Sequence, residues 1–156
     1  MNTVRAVVAI SGALLMFGQA LAATFAVDDS GTVASPSLAE ARWVKPARAR
    51  GLSFDVEATV RVDVRLNLRP WLGRQANIYM SAPRNSTVPF KTTWTSNGRL
   101  LPGTLTQGTR ALVWTGKIAE STLADVMMVT LTADGRTLAV KQALEFGFEI
   151  DVEQGR

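Results

Sequence analysis

The longest regular pattern in the chain is a strict alternation of apolar and polar positions over residues 54–68. Its apolar members are Phe54, Val56, Ala58, Val60, Val62, Val64, Leu66 and Leu68. Its polar members are Asp55, Glu57, Thr59, Arg61, Asp63, Arg65 and Asn67. This period of two predicts an extended β-strand with one buried and one solvated face. A strand of this length would span roughly 50 Å at about 3.3 Å per residue. We therefore expect it to bend, to carry a bulge or to cross between two sheets.

Shorter runs of the same kind fill the rest of the chain from residue 52 onward. They are separated by turn signals, of which Asn97-Gly98 and Asp134-Gly135 predict tight hairpin turns. Trp94 and Trp114 fall inside strand patterns and are predicted to lie in the core. About seven strands with no helix of useful length predict an all-β fold, a single antiparallel Ig-like β-sandwich over residues 52–153. A barrel is the alternative.

The first 22 residues have the composition of a secretory signal peptide. Met1 to Arg5 carries one positive charge, residues 6–21 carry none, and Ala20-Leu21-Ala22 supplies small residues for cleavage after Ala22. An uncleaved membrane anchor is the alternative, although the strongly apolar part is short for a span. We therefore expect a bacterial protein of the periplasm or of the extracellular side of the cell surface, with no membrane span after cleavage.

Residues 23–51 differ in composition from the chain beyond residue 51. Turn-forming and small residues dominate, and the apolar islands are short, at residues 25–27 and 43–44. Such a composition is typical of a flexible N-terminal arm. The predicted organisation is therefore a signal peptide over residues 1–22, an arm over residues 23–51 and a β-sandwich domain over residues 52–153.

Charge is unevenly distributed along the chain. The net charge is +4, and residues 42–74 hold eight basic and three acidic side chains. A basic stripe on an exported protein suggests an acidic polysaccharide, lipid head groups or the acidic face of a partner, whereas export argues against nucleic acid. We favour the other interpretation, in which the stripe is a solvated face paired with acidic strands of the same fold. The carboxylates of residues 145–153 would then oppose Arg61, Arg65 and Arg69 across a sheet.

The residue types exclude much catalytic chemistry. The chain has no cysteine and no histidine, which excludes disulfides, thiol nucleophiles, imidazole metal ligands and every catalytic triad that needs a histidine base. A carboxylate pair of the kind used in glycoside hydrolysis is the remaining enzymatic alternative. We expect a non-enzymatic protein with no catalytic, metal or cofactor site.

The order of the segments carries the functional prediction. An exported β-sandwich comes after an arm in which Thr24 to Val27 forms a short apolar alternation. This layout resembles that of pilin-like subunits, and the resemblance implies donor-strand exchange, in which an N-terminal extension adds a strand to the sheet of a neighbouring subunit. We therefore predict a structural or adhesive subunit of a pilus- or fimbria-like bacterial surface assembly, whose arm contacts a neighbouring copy or another protein. The alternative is a periplasmic or secreted binding module for an acidic glycan or protein partner.

The candidate partner-binding residues combine apolar positions of the arm with tryptophan and arginine in or near the basic stripe. An exposed tryptophan beside arginine can stack on a sugar ring or anchor a protein partner. The predicted residues are Phe25, Val27, Trp43, Arg69, Trp71 and Arg74.

Overall fold

A computed structural model of the chain describes residues 22–35, 41–44, 54–82, 90–136 and 146–153. Within these ranges the strands, in chain order, are β1 (Ala22–Ala26), β2 (Val33–Ser35), β3 (Arg42–Trp43), β4 (Asp55–Asn67), β5 (Gln75–Ser81), β6 (Phe90–Ser96), β7 (Gly103–Thr106), β8 (Arg110–Lys117), β9 (Thr122–Asp134) and β10 (Gly147–Glu153). A single 3-10 turn, Arg69–Trp71, comes after β4. None of the described segments forms a helix long and apolar enough to cross a membrane.

The strands form two antiparallel sheets that pack face to face. One sheet has the order β1-β10-β5-β8, and the other has the order β2-β4-β9-β6-β7 with β3 paired to β4. The predicted all-β sandwich is confirmed. Within residues 52–153 the described part of the chain has seven strands, β4 to β10, in agreement with the prediction of about seven, and β1 to β3 lie in the segment predicted as an arm. The Ig-like subtype and the domain boundaries stay predictions, and residues 1–21 of the predicted signal peptide lie outside the described residues.

The long alternating segment is β4, and it lies in a single sheet. All thirteen residues pair with β9, from Asp55 opposite Asp134 to Asn67 opposite Thr122, without a register shift. The expectation of a bulge or a crossing between sheets is therefore wrong. The reason is that β9 is equally long, so the six-stranded sheet provides a partner for the whole length of β4.

The core lies between the inward faces of the two sheets. Its most completely buried side chains are Leu66, Ile78, Met80, Leu105, Ile118, Met127, Ile150, Val62, Val113, Val129, Val152 and Thr92. Trp94 is 3 % exposed, as predicted, whereas Trp114 is half-buried at the margin of the core. Thr92 is the polar member of the set, and its hydroxyl has no hydrogen-bond partner in the described part of the chain.

The connection between β6 and β7 contains the Asn97-Gly98 signal but is longer than the tight turn predicted there. It covers residues 97–102, because β6 ends at Ser96 and β7 begins at Gly103. The Asp125 carboxylate of β9 holds this loop by accepting hydrogen bonds from the Leu100 amide at 2.7 Å and the Ser96 hydroxyl at 3.0 Å. A side chain at Gly98 would collide with the same carboxylate.

Candidate interaction surface

The first strand of the chain completes one edge of the four-stranded sheet. β1 pairs antiparallel with β10 from Ala22 opposite Glu153 to Ala26 opposite Glu149. The ladder continues one residue further, where the Val27 amide donates to the Phe148 carbonyl at 2.9 Å. Without β1, the backbone groups on this side of β10 would have no strand partner among the described residues. β1 therefore occupies a position at which any extended segment of suitable sequence could pair.

The two strands of this pair contribute very differently to the core. Phe148, Ile150 and Val152 of β10 are at most 2 % exposed. In β1, by contrast, four residues are exposed and one is half-buried, and Phe25 is 45 % exposed. Val27, just beyond β1, is the buried member of this segment. Backbone hydrogen bonds, more than apolar burial, therefore hold β1 in place.

An aromatic contact joins β1 to the turn after β4. The rings of Phe25 and Trp71 have centroids 6.0 Å apart and are tilted by 41°, within the range of favourable aromatic pairs. Trp71 is half-buried and packs against the core, and Pro70 sets the turn that presents it. Trp71 therefore supports one side of the Phe25 ring, and the other side is exposed to solvent.

The solvent face of the same edge carries a charged cluster. The Thr24 hydroxyl donates to Asp151, which also accepts two hydrogen bonds from the Arg110 guanidinium, at 3.1 and 2.9 Å. Arg110 reaches Glu149 at 3.7 Å and lies over the Tyr79 ring, 4.1 Å from its centroid. The Arg110 hydrogen bonds, helped by Thr24 and opposed by burial, lower the pKa of Asp151. The cluster therefore links β1 to β8 across the whole sheet.

This cluster corrects the predicted pairing of carboxylates with arginines. Glu149 and Asp151 bind Arg110, and not Arg61, Arg65 or Arg69. The reason is topological, because β10 lies in the four-stranded sheet whereas β4, with Arg61 and Arg65, lies in the six-stranded one. Arg61 instead binds Asp63 two residues further along β4.

The structure brings most of the predicted partner-binding residues to the region of β1 and the turn after β4. Arg69 and Trp71 lie in that turn. Arg74 comes shortly after it and donates to the Glu153 carbonyl at the end of β10, at 3.0 Å. Phe25 lies in β1 and Val27 directly after it. Five of the six predicted residues are therefore in or near the β1–β10 pair.

Trp43 does not belong to this group. It pairs with Val56 near the start of β4, and its ring lies close over Gly135. It is 63 % exposed.

Sequence reasoning also missed Arg110, Tyr79 and Thr24 as contributors to the edge. The alternation of β10 placed Asp151 on the solvent face, but the strand that would face it could not be known without the sheet order.

Comparisons with known proteins do not assign the chain to a family. No protein-family model matches the sequence, and no curated protein matches it. Among the described residues, no group of three or more acidic side chains is placed to hold a metal ion.

Proposed function

We propose that this protein is an exported, non-enzymatic structural subunit of a bacterial surface assembly, similar to a pilus or fimbria. In this assembly the N-terminal arm of one copy contacts a neighbouring copy. The observation that supports the proposal is the position of β1 on the outer edge of β10. An edge strand held mainly by its backbone can be exchanged for the same strand of another copy at little cost in core packing.

The chemistry of the edge favours a second copy as the partner. The contacts that select β1 are the Phe25 ring on Trp71 and the Thr24 hydroxyl on Asp151. A neighbouring copy offers the same two side chains in the same register. Strand exchange would therefore reproduce, between two chains, the contacts that β1 makes within one chain.

The absence of cysteine from the sequence permits a direct test by disulfide formation. Thr24 and Asp151 are register partners and face the same side of the sheet. Thr24→Cys and Asp151→Cys would therefore bring two thiols within bonding geometry. The two single variants, one carrying a size tag, are refolded together at high concentration, oxidised and run on a non-reducing gel.

We expect a covalent heterodimer of the tagged and untagged variants, together with species larger than a monomer in light scattering of the unmodified protein. The matched control combines Thr24→Cys with Glu120→Cys, an exposed position outside the β1–β10 pair. A strict monomer in light scattering, with no more heterodimer than in the control, would contradict the proposal.

A further inference from the structure

A polar recess lies where the turn after β1 packs against the C-terminal half of β4. It has a volume of about 200 Å³ and is lined by Asp28, Ser30, Gly31, Arg65, Asn67 and Thr122. Pockets for drug-sized ligands measure about 300–1,000 Å³. The recess is therefore suited to a smaller group, of the size of one sugar ring.

The walls of the recess are held in place by backbone and side-chain contacts. The Asn67 amide donates to the Asp28 carbonyl at 2.9 Å, and the Arg65 amide donates to the Thr32 hydroxyl at 3.0 Å. Gly31 allows the stem of Arg65 to lie against the turn, because a Cβ atom there would be 3.1 Å from Arg65 Cδ. The base of the Arg65 side chain is therefore fixed at the recess.

The guanidinium of Arg65 is not held in an ion pair by any described residue. In the part of the chain that the structure describes, it forms no salt bridge, and its neighbour on β9 is Ala124. The nearby Asp63 is occupied by Arg61, whose Nη2 lies 2.7 Å from the carboxylate. The recess therefore presents a cation that is available to a ligand.

Opposite charge and hydrogen-bonding groups line the same recess. Asp28 accepts a hydrogen bond from the Ser30 amide at 3.1 Å and one from the Asn67 side chain at 3.4 Å. Hydrogen bonds from Ser30, then that from Asn67, lower the pKa of Asp28, so the carboxylate is ionised at neutral pH. Thr122 adds a hydroxyl group at the rim.

We propose that this recess binds the carboxylated ring of an acidic sugar, such as a uronic acid at the end of a polysaccharide. The ligand carboxylate binds the planar donor array of Arg65. The ring hydroxyls donate to Asp28 and exchange hydrogen bonds with Asn67 and Thr122. A simple anion such as acetate would pair with Arg65 but would have no hydroxyl group to donate to Asp28, and a neutral sugar would leave Arg65 without a counter-charge.

Arg69, Trp71 and Arg74 do not line the recess. The turn that forms one wall begins directly after Val27, so the recess adjoins the β1–β10 edge. We propose ligand binding for the single chain with its own β1 in place, and the test below is separate from the test of assembly. A subunit with both features would polymerise through one surface and bind an anionic polysaccharide through the other.

The test is a titration of isotope-labelled protein with methyl β-D-glucuronide, monitored by amide chemical shifts. We expect saturable shifts confined to residues 28–32 and 65–67 and the neighbouring end of β9, with a dissociation constant in the millimolar range. Arg65→Gln should weaken binding about tenfold or more, because it removes a charge-assisted pair. Asp28→Asn should also weaken binding, through the hydroxyl contacts. Lys91→Gln is the matched control, since Lys91 is an exposed cation of β6 that does not line the recess.

Two control ligands separate the contributions of charge and ring. Equal binding of methyl β-D-glucoside would show that the carboxylate is irrelevant, and equal binding of acetate would show that the ring is irrelevant. Either result would overturn the proposal, as would the lack of saturable shifts or an equal loss in Lys91→Gln. Thermal melts establish that each variant is folded. Should Arg65→Gln fail to fold, Gly31→Ala is used, because its Cβ atom would lie 3.1 Å from Arg65 Cδ and shift the Arg65 stem without removing a charge. We expect weaker binding than in Lys91→Gln, and equal binding in these two variants would overturn the proposal.

Discussion

At the scale of single residues, Thr92 places a polar hydroxyl group in the buried core. It is 2 % exposed, and its register partners on the flanking strands are Leu105 and Leu131. A buried hydroxyl without a hydrogen bond costs about 1–3 kcal/mol. Thr92 is therefore a site at which the fold can be made more stable.

We expect Thr92→Val to raise the free energy of unfolding by about 1 kcal/mol, because valine keeps the shape and removes the unpaired hydroxyl. Urea denaturation measures the change. Thr93→Val, one residue along β6 on the opposite face, is the control and should give no gain. Equal stabilisation by both substitutions would mean that strand propensity, and not burial of the hydroxyl, is the cause.

Arg110 and Asp151 show that the sequence predicts the orientation of a strand side chain but not its ion-pair partner. The alternation of residues 146–152 identified Phe148, Ile150 and Val152 as inward and Asp151 as outward, because facing in a strand depends only on neighbouring positions. The partner of Asp151 is 41 residues away in the sequence and depends on the sheet order. Local pattern thus predicted the orientation of the side chain and predicted the wrong ion pair.

At the scale of elements, β1 and β10 differ in how much each side chain supports the core. Phe25 and Ile150 are register partners, yet Phe25 is 45 % exposed and Ile150 is 0 % exposed. The pair therefore offers a comparison within a single ladder.

We expect Ile150→Ala to cost about 2–5 kcal/mol, as for other large-to-small substitutions in a packed core. Phe25→Ala should cost less than about 1 kcal/mol, because more than a third of the ring is already in water and it contacts Trp71 at one side only. Urea unfolding of the two variants measures both values. A cost for Phe25→Ala close to that of Ile150→Ala would show that β1 is part of the core, and would weaken the proposed exchange.

The elements also show which strands the hydrophobic pattern does not predict. Strands β4 to β10 are predictable from alternation and turn signals, since each of these segments buries one face. Residues 23–51 gave no comparable signal because β1, β2 and β3 contribute almost no buried side chains. They are strands because β4 and β10 offer free backbone edges, a property of the assembled sheet that no local sequence window contains. Trp43 and Trp71 were both predicted to bind a partner because each lies near arginine in the sequence, although the fold places them near opposite ends of β4.

At the scale of the whole molecule, the aspartate carboxylates determine how the free energy of unfolding changes at low pH. Hydrogen bonds from Arg136 lower the pKa of Asp134 to about 2. For Asp125, burial raises the pKa, but hydrogen bonds from Leu100, Val126 and Ser96 outweigh it and the pKa is lowered. Asp28 and Asp151 are shifted in the same direction.

Because these folded-state pKa values lie below those of the unfolded chain, the unfolded chain takes up protons first as the pH falls. We therefore expect stability to be fully developed above pH 4 and to fall progressively from about pH 4 towards pH 2. Urea midpoints at a series of pH values measure this. Asp125→Asn should be less stable at pH 7 and should show a shallower fall, because one of the shifted groups no longer titrates. A midpoint that does not change between pH 4 and pH 2 would contradict the expectation.

The pairing of β1 with β10 also has a consequence for the order of events during synthesis. Thr24 and Asp151 are 127 residues apart, so among the described strands the first to be synthesised pairs with the last. The four-stranded sheet cannot close until β10 has been synthesised, and contacts of such long sequence separation form slowly. A newly made molecule therefore passes through a period in which its own β1 and its own β10 are both unpaired. In the proposed strand exchange, the concentration of other copies during that interval, and not the final free energy, would decide which β1 each β10 receives.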